Sequence, residues 1–210
     1  MMKTVIFDMD GVLIDSEVIY LKSLQKYLKT LDIEEDLQTL SCLVGMNAKD
    51  ITQKLQNTYH LHHIPMEELM EKQDLYFDEE LKETILTPMP HLITYLKYLK
   101  EKDMTIVLAS SSDMHWINTV LDGIHVREYF DIIISGENLK HSKPDPEIFY
   151  LAAKQAGCKH DECMVIEDSV NGIKAGKAAD MYVIGYKGSI IQQDTSKADK
   201  EIYNFCELYT

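Results

Sequence analysis

Five short apolar runs, separated by helix-length segments, constrain this chain more than any other feature. They are Val5-Ile6-Phe7, Ile106-Val107-Leu108-Ala109, Ile132-Ile133-Ile134, Met164-Val165-Ile166 and Tyr182-Val183-Ile184. Each is β-branched or aromatic-rich and none alternates polar with apolar, the pattern of strands covered on both faces. Between the later runs the spacing turns helical. Leu92, Tyr95, Leu96 and Leu99 form one stripe, and Ile148, Phe149, Leu151 and Ala152 begin another. Strand alternating with helix implies right-handed βαβ units, hence an α/β fold with a doubly wound, Rossmann-like parallel sheet.

The rhythm breaks after the first run. From about Ser16 to Leu86 there is no convincing strand and much helical pattern. Leu21, Leu24 and Leu28 keep helical spacing, and Asn47 with Asp50 resembles an N-cap pair opening a helix through Gln56. Glu67 to Glu83 is acidic and amphipathic, the pattern of a solvated helix face. A crossover this long is itself a small domain. The expected organisation is a core of residues 1–15 and 87–210 with an inserted helical cap of residues 16–86, hinged near Asp15-Ser16 and Thr87-Pro88. With 210 residues the chain can bury a core without disulfides or metals as staples.

Charge and composition remove several function classes. A formal net charge of −14 argues against a nucleic-acid partner, which usually needs a basic face. No apolar run approaches the roughly 20 residues that span a bilayer, so no membrane partner is expected. Asp8 and Asp10 interrupt the N-terminal apolar run too early for a signal peptide, which makes the cytoplasm the default location. Cys42, Cys158, Cys163 and Cys206 show no paired spacing and read as reduced thiols.

The chemistry gathers at the ends of the apolar runs. The first ends in Asp8-Met9-Asp10-Gly11-Val12-Leu13-Ile14-Asp15-Ser16. Two carboxylates after a buried strand are costly unless paired, hydrogen-bonded or metal-bound, although a turn with capping aspartates is the plainer reading of that fragment alone. The second ends in Ser110-Ser111-Ser112, whose hydroxyls and loop amides can cradle a phosphate or simply cap a helix. After the third comes Ser142-Lys143-Pro144-Asp145-Pro146, whose lysine suits either an anion or the surface. The fourth ends in Glu167-Asp168-Ser169, then Asn171-Gly172-Ile173 and Gly176, again a metal pair or a cap. All four lie at the carboxyl ends of expected parallel strands, the edge where open α/β sheets bind ligands.

These residues resemble the haloacid dehalogenase superfamily, in its capped phosphatase and phosphomutase branch. The match spans essentially the whole chain and keeps the family's motif order: Asp8-x-Asp10-Gly11, Ser110, Lys143, then Glu167-Asp168. The resemblance implies strand order 5-4-1-2-3, which makes Asp8, Asp168 and Ser110 neighbours in space. Its dehalogenase and phosphonate-cleaving members lack an aspartate at position 10, so Asp10 points to phosphate esters.

The expected chemistry is magnesium-dependent hydrolysis of a small phosphorylated metabolite, sugar phosphates foremost. Asp8 attacks phosphorus, and Asp10 gives a proton to the leaving alkoxide and later takes one from water. Magnesium prefers carboxylate, carbonyl and phosphate oxygens. The expected ligands are Asp8, the Asp10 carbonyl, Asp168, and Glu167 either directly or through water. Ser110, Ser111 and Lys143 are the expected phosphate-binding residues, and the cap is expected to close over the site and exclude water. A monomer or weak homo-oligomer is expected.

Two other functions fit less well. A β-phosphoglucomutase-type enzyme must hold a second phosphate, for which the family's mutases use a cap arginine. Here the sole arginine is Arg127, outside the expected cap. After the cap glycine, Gly45, the mutase arginine position reads Ala48 and the hinge-side histidine position reads Tyr20, with Lys49 a partial substitute. A phospho-aspartate receiver module has a similar set of groups, but it is about half this length and carries its acceptor on a middle strand. Tyr20, Lys22, Asn47 and Lys49 are the candidates for selecting substrate. His60, His62, His63 and His141 read as loop residues, Trp116 as packing, and Gly172 and Gly176 as points of close helix approach.

Overall fold

The structure is a computed structural model and describes residues 2–44, 46 and 48–209. Gly45 and Asn47, the cap glycine and the N-cap of the sequence reading, lie outside the described residues. The five apolar runs form β1 (Thr4–Phe7), β2 (Thr105–Ser110), β3 (Ile132–Ser135), β4 (Cys163–Glu167) and β5 (Tyr182–Tyr186). A sixth strand, β6 (Lys200–Ile202), was not expected. Lys200-Glu201-Ile202 is short and mostly polar, and only Ile202 is buried.

The sheet is parallel throughout in the order β3-β2-β1-β4-β5-β6. Its first five strands follow the expected order, counted from the other edge, and β6 extends the sheet beyond β5. Phe7 is in register with both Leu108 and Ile166. The residues just after β1, β2 and β4 therefore leave the sheet along one edge.

The uniform apolarity of the strands has its reason in the helices. The described helices are α1 (Ser16–Thr30), α2 (Leu37–Leu40), α3 (Ala48–Tyr59), α4 (Met66–Glu83), α5 (Leu92–Glu101), α6 (Met114–Gly123), α7 (Glu147–Ala156) and α8 (Val170–Ala178). Val5, Phe7 and Leu108 pack with Leu92, Leu96 and Ile117 of α5 and α6 on one face. Ile6, Val107 and Val165 pack with Ile148, Phe149 and Ile173 of α7 and α8 on the other. Successive strand residues point to opposite faces, so both faces must be apolar.

The chain divides into two compact units, Met1–Asp15 with Leu86–Thr210, and Ser16–Ile85. The second unit holds α1 to α4, and α3 continues to Tyr59, past Gln56. Within it, Tyr27 of α1 meets Tyr76 of α4 with ring centroids 5.3 Å apart. The Tyr20 hydroxyl donates to Gln73 Oε1 at 3.3 Å, and Gln73 Nε2 donates to Thr52 Oγ1 at 3.1 Å. Lys22 and Lys49 are exposed. Among the described residues no helix is long and apolar enough to cross a membrane.

Candidate active site

Asp8 leaves β1 with its N–H still donating to Ile166 O of β4 at 3.0 Å, so the strand ladder fixes its direction. The chain then turns tightly. Met9 O accepts from Leu13 N at 2.8 Å, and Gly11 N donates to Ile14 O at 2.8 Å. Gly11 has φ +78°, and a Cβ there would overlap the carboxylate of Asp168. Only glycine allows both that turn and that approach.

β4 ends at Glu167, and Ser169 is the N-cap of α8, its Oγ accepting from Gly172 N at 2.9 Å. The acidic pair Glu167-Asp168 is therefore not the helix cap. Both residues are buried, at 1% and 6% exposure. Oxygens of Asp8, Glu167 and Asp168 all lie within 4.8 Å of one another, the one such cluster of His, Cys, Asp or Glu among the described residues. His60, His62, His63 and His141 are exposed and lie outside it.

Lys143 is not a surface lysine. Its side chain is 7% exposed and donates to Asp8 Oδ1 at 2.5 Å, Glu167 Oε1 at 2.9 Å and Ala109 O at 3.1 Å. Burial pushes the Asp8 carboxyl up to about 7, with Glu167 and Asp10 adding to the rise and Lys143 opposing it. Burial alone would lower Lys143, but Asp8 and Glu167 outweigh it and hold the ammonium above its ordinary value. The other oxygen of Glu167, Oε2, accepts from Ser169 N at 2.8 Å and Ser169 Oγ at 2.9 Å. Glu167 thus has both oxygens engaged by protein donors.

The serines after β2 divide their roles. Ser110 is 1% exposed, and its Oγ accepts from Ser112 N at 3.0 Å. The helix cap is Asp113, which accepts from Trp116 N at 2.8 Å. Ser111 is exposed and lines one small cavity together with Lys143 and His141. Ser112 Oγ donates to Asp10 Oδ2 at 2.8 Å, and Trp116 Nε1 donates to Asp10 Oδ1 at 3.1 Å. The sequence reading made Trp116 packing only. The ring does pack against the apolar cluster of its sheet face, but its N–H also reaches Asp10. The available signal was Asp113-x-x-Trp116, a cap that sets the phase of the first turn of α6.

The donor set fits a hard divalent cation. Three buried carboxylates converge, two of them on the Lys143 ammonium, and the raised Asp8 carboxyl marks the negative charge that the cation would neutralise. Hard oxygen donors without sulfur or imidazole favour magnesium over zinc.

The span from residue 5 to 186 matches the family model of haloacid dehalogenase-like hydrolases. The chain belongs to that family. It is 30% identical over 188 residues to the phosphorylated carbohydrates phosphatase of Thermotoga maritima, covering 85% of this chain and 82% of that one. It is 29% identical over 206 residues to hexitol phosphatase B of Escherichia coli, covering 97% of this chain and 92% of the relative. Among solved structures, β-phosphoglucomutase from Clostridium difficile superposes with a TM-score of 0.76 at 25% identity, covering 99% of this chain and 93% of that one. This haloacid dehalogenase-like hydrolase therefore shares its fold with phosphate-handling enzymes of both kinds.

Proposed function

We propose that the chain is a magnesium-dependent phosphoric monoester hydrolase that acts on a small phosphorylated sugar through an aspartyl phosphate on Asp8. The observation that carries this reading is Asp8 held by Lys143 beside Asp168 and Glu167 at one strand edge. The names of the phosphatase relatives supply the substrate class.

In the first half-reaction an Asp8 oxygen forms a bond to phosphorus while the bond from phosphorus to the sugar oxygen breaks. Asp10 passes its proton to that oxygen, so the sugar leaves as an alcohol. In the second, Asp10 takes a proton from water as the water oxygen bonds to phosphorus, and Asp8 is released with inorganic phosphate. Lys143 opposes the rise that burial imposes on Asp8 and so favours the attacking carboxylate, and Ser110, Ser111 and loop amides meet the phosphoryl oxygens. Asp8, Asp168 and the Asp10 carbonyl would hold magnesium, with Glu167 acting through water; the ion supplies charge neutralisation for the phosphoryl group. The four free cysteines suit a reducing compartment, the cytoplasm.

The mutase reading lacks the cap arginine that the family's mutases use, with Lys49 a partial substitute. Arg127 is a half-exposed residue of the sheet-bearing unit, and it donates to Asp122 Oδ1 and Asn118 Oδ1. The test is phosphate release from sugar phosphates, nucleotides and p-nitrophenyl phosphate, with magnesium or with chelator. Beside it runs conversion of β-glucose 1-phosphate to glucose 6-phosphate, primed with the bisphosphate. Magnesium-dependent release from a sugar phosphate is the expected result. Isomerisation without net release would overturn hydrolysis in favour of the mutase.

A further inference from the structure

We infer that Trp116 and Ser112 are positioning residues that hold the carboxyl group of Asp10 for proton transfer, with Trp116 fixing Oδ1 as an acceptor and leaving Oδ2 as the oxygen that carries the proton. The inference rests on the reading of Asp10 as the general acid and base.

The oxygens of Asp10 are gripped from the loop after β2, by Ser112, and from the first turn of α6, by Trp116. Trp116 Nε1 donates to Oδ1 at 3.1 Å and Ser112 Oγ donates to Oδ2 at 2.8 Å. Each gripping residue is itself held. Asp113 accepts from Trp116 N at 2.8 Å and so sets the start of α6, while the indole ring rests on the apolar cluster. Ser112 N donates to Ser110 Oγ at 3.0 Å, and Ser112 O accepts from Ser135 Oγ at 2.7 Å. The anchoring thus runs from β2 and β3 through the loop to the turn after β1.

The two donors differ in chemistry. An indole N–H can only donate, so its partner oxygen must remain an acceptor whether or not the carboxyl group is protonated. A serine hydroxyl can donate to a carboxylate or accept from a carboxylic acid by turning its own hydrogen. Asp10 can therefore gain and lose a proton at Oδ2 while keeping both contacts. That is what a group needs if it gives a proton in one half-reaction and takes one in the next. A tryptophan that only packed would need no N–H aimed at a carboxylate two residues from the nucleophile.

The test compares kcat/KM on two esters, the sugar phosphate turned over fastest by the wild-type enzyme and p-nitrophenyl phosphate. This constant covers only steps up to departure of the leaving group. A sugar alkoxide needs a proton as it leaves, and nitrophenolate does not. Trp116→Phe keeps the aromatic packing and removes the N–H donor. It is expected to cost the sugar phosphate at least about tenfold more than the nitrophenyl ester, a part of the roughly 100- to 10,000-fold that a general acid supplies. Ser112→Ala should show the same selectivity and Ser112→Thr, which restores a hydroxyl, should recover it. In an Asp10→Asn background, Trp116→Phe should add less than about twofold, because residues acting through one group are not additive. Equal losses on the two esters for Trp116→Phe, or an additive loss in the double variant, overturn the inference while Asp10→Asn stays selective. Equal losses for Asp10→Asn itself overturn the acid role of Asp10, and the inference with it.

Discussion

The ammonium of Lys143 lies 2.5 Å from Asp8 Oδ1 and, at the same time, 2.9 Å from Glu167 Oε1, so one cation ties the ends of β1 and β4 together. All three side chains are at most 10% exposed. Such a buried group of charges is stable only as a set, since the ammonium offsets the desolvation of both carboxylates and they offset its own.

Replacing Lys143 by methionine should therefore do two kinds of damage. It leaves two buried carboxylates facing each other, a change that costs about 3–5 kcal/mol when one partner of a buried pair is removed. It should also lower kcat/KM by at least about 100-fold, as loss of one preorganised electrostatic contact does. Thermal unfolding in chelator and again in magnesium checks the first, and magnesium should restore part of the lost stability. An unchanged melting temperature and turnover would show that Lys143 carries neither role.

The raised Asp8 carboxyl sets a pH dependence. Its ordinary value is 3.8 and burial in the metal-free fold raises it to about 7. Between those values the folded chain holds a proton that the unfolded chain has lost. This group therefore stabilises the metal-free fold fully below about pH 4, and the contribution is lost as pH rises through 7. A cation on Asp8 must displace that proton, so apparent magnesium affinity should weaken about tenfold per pH unit below 7. The magnesium-induced rise in melting temperature should be larger at about pH 8 than at about pH 6. An equal rise at both would remove Asp8 from the ligand set.

Gly172 gives a prediction whose sign opposes helix propensity. Glycine inside a helix usually gains about 1 kcal/mol on replacement by alanine. Here a Cβ would overlap the carboxylate of Glu167, pushing it off Lys143 and Ser169. Gly172→Ala should lower both melting temperature and turnover. A more stable, fully active variant would show that the carboxylate can move without consequence.

Much of this arrangement was legible because buried parallel strands are written as plain apolar runs and the chemistry sits just past their ends. Val5-Ile6-Phe7 and Met164-Val165-Ile166 need no partner to be recognised, and register then carries Asp8 and Glu167 to one edge. β6 was illegible because Lys200 and Glu201 face solvent and only Ile202 is buried. The contact of Trp116 with Asp10 was hidden for another reason. It joins residues 106 apart in sequence, and it depends on the helix phase set by Asp113, so neither residue type nor spacing along one segment shows it. The engagement of both Glu167 oxygens was hidden likewise, since it arises from where Lys143 and Ser169 converge.

The most direct test of the account is phosphate release from a sugar phosphate by the wild-type enzyme and by Asp8→Asn, with magnesium, at matched fold and stability. Asparagine keeps the size of Asp8 and removes the attacking carboxylate. The expected result is magnesium-dependent release by the wild type and a loss of at least about 1,000-fold in the variant, the scale seen when a nucleophile is removed. Near-full turnover by Asp8→Asn would contradict the account, because phosphorus would then have to be attacked by some other group.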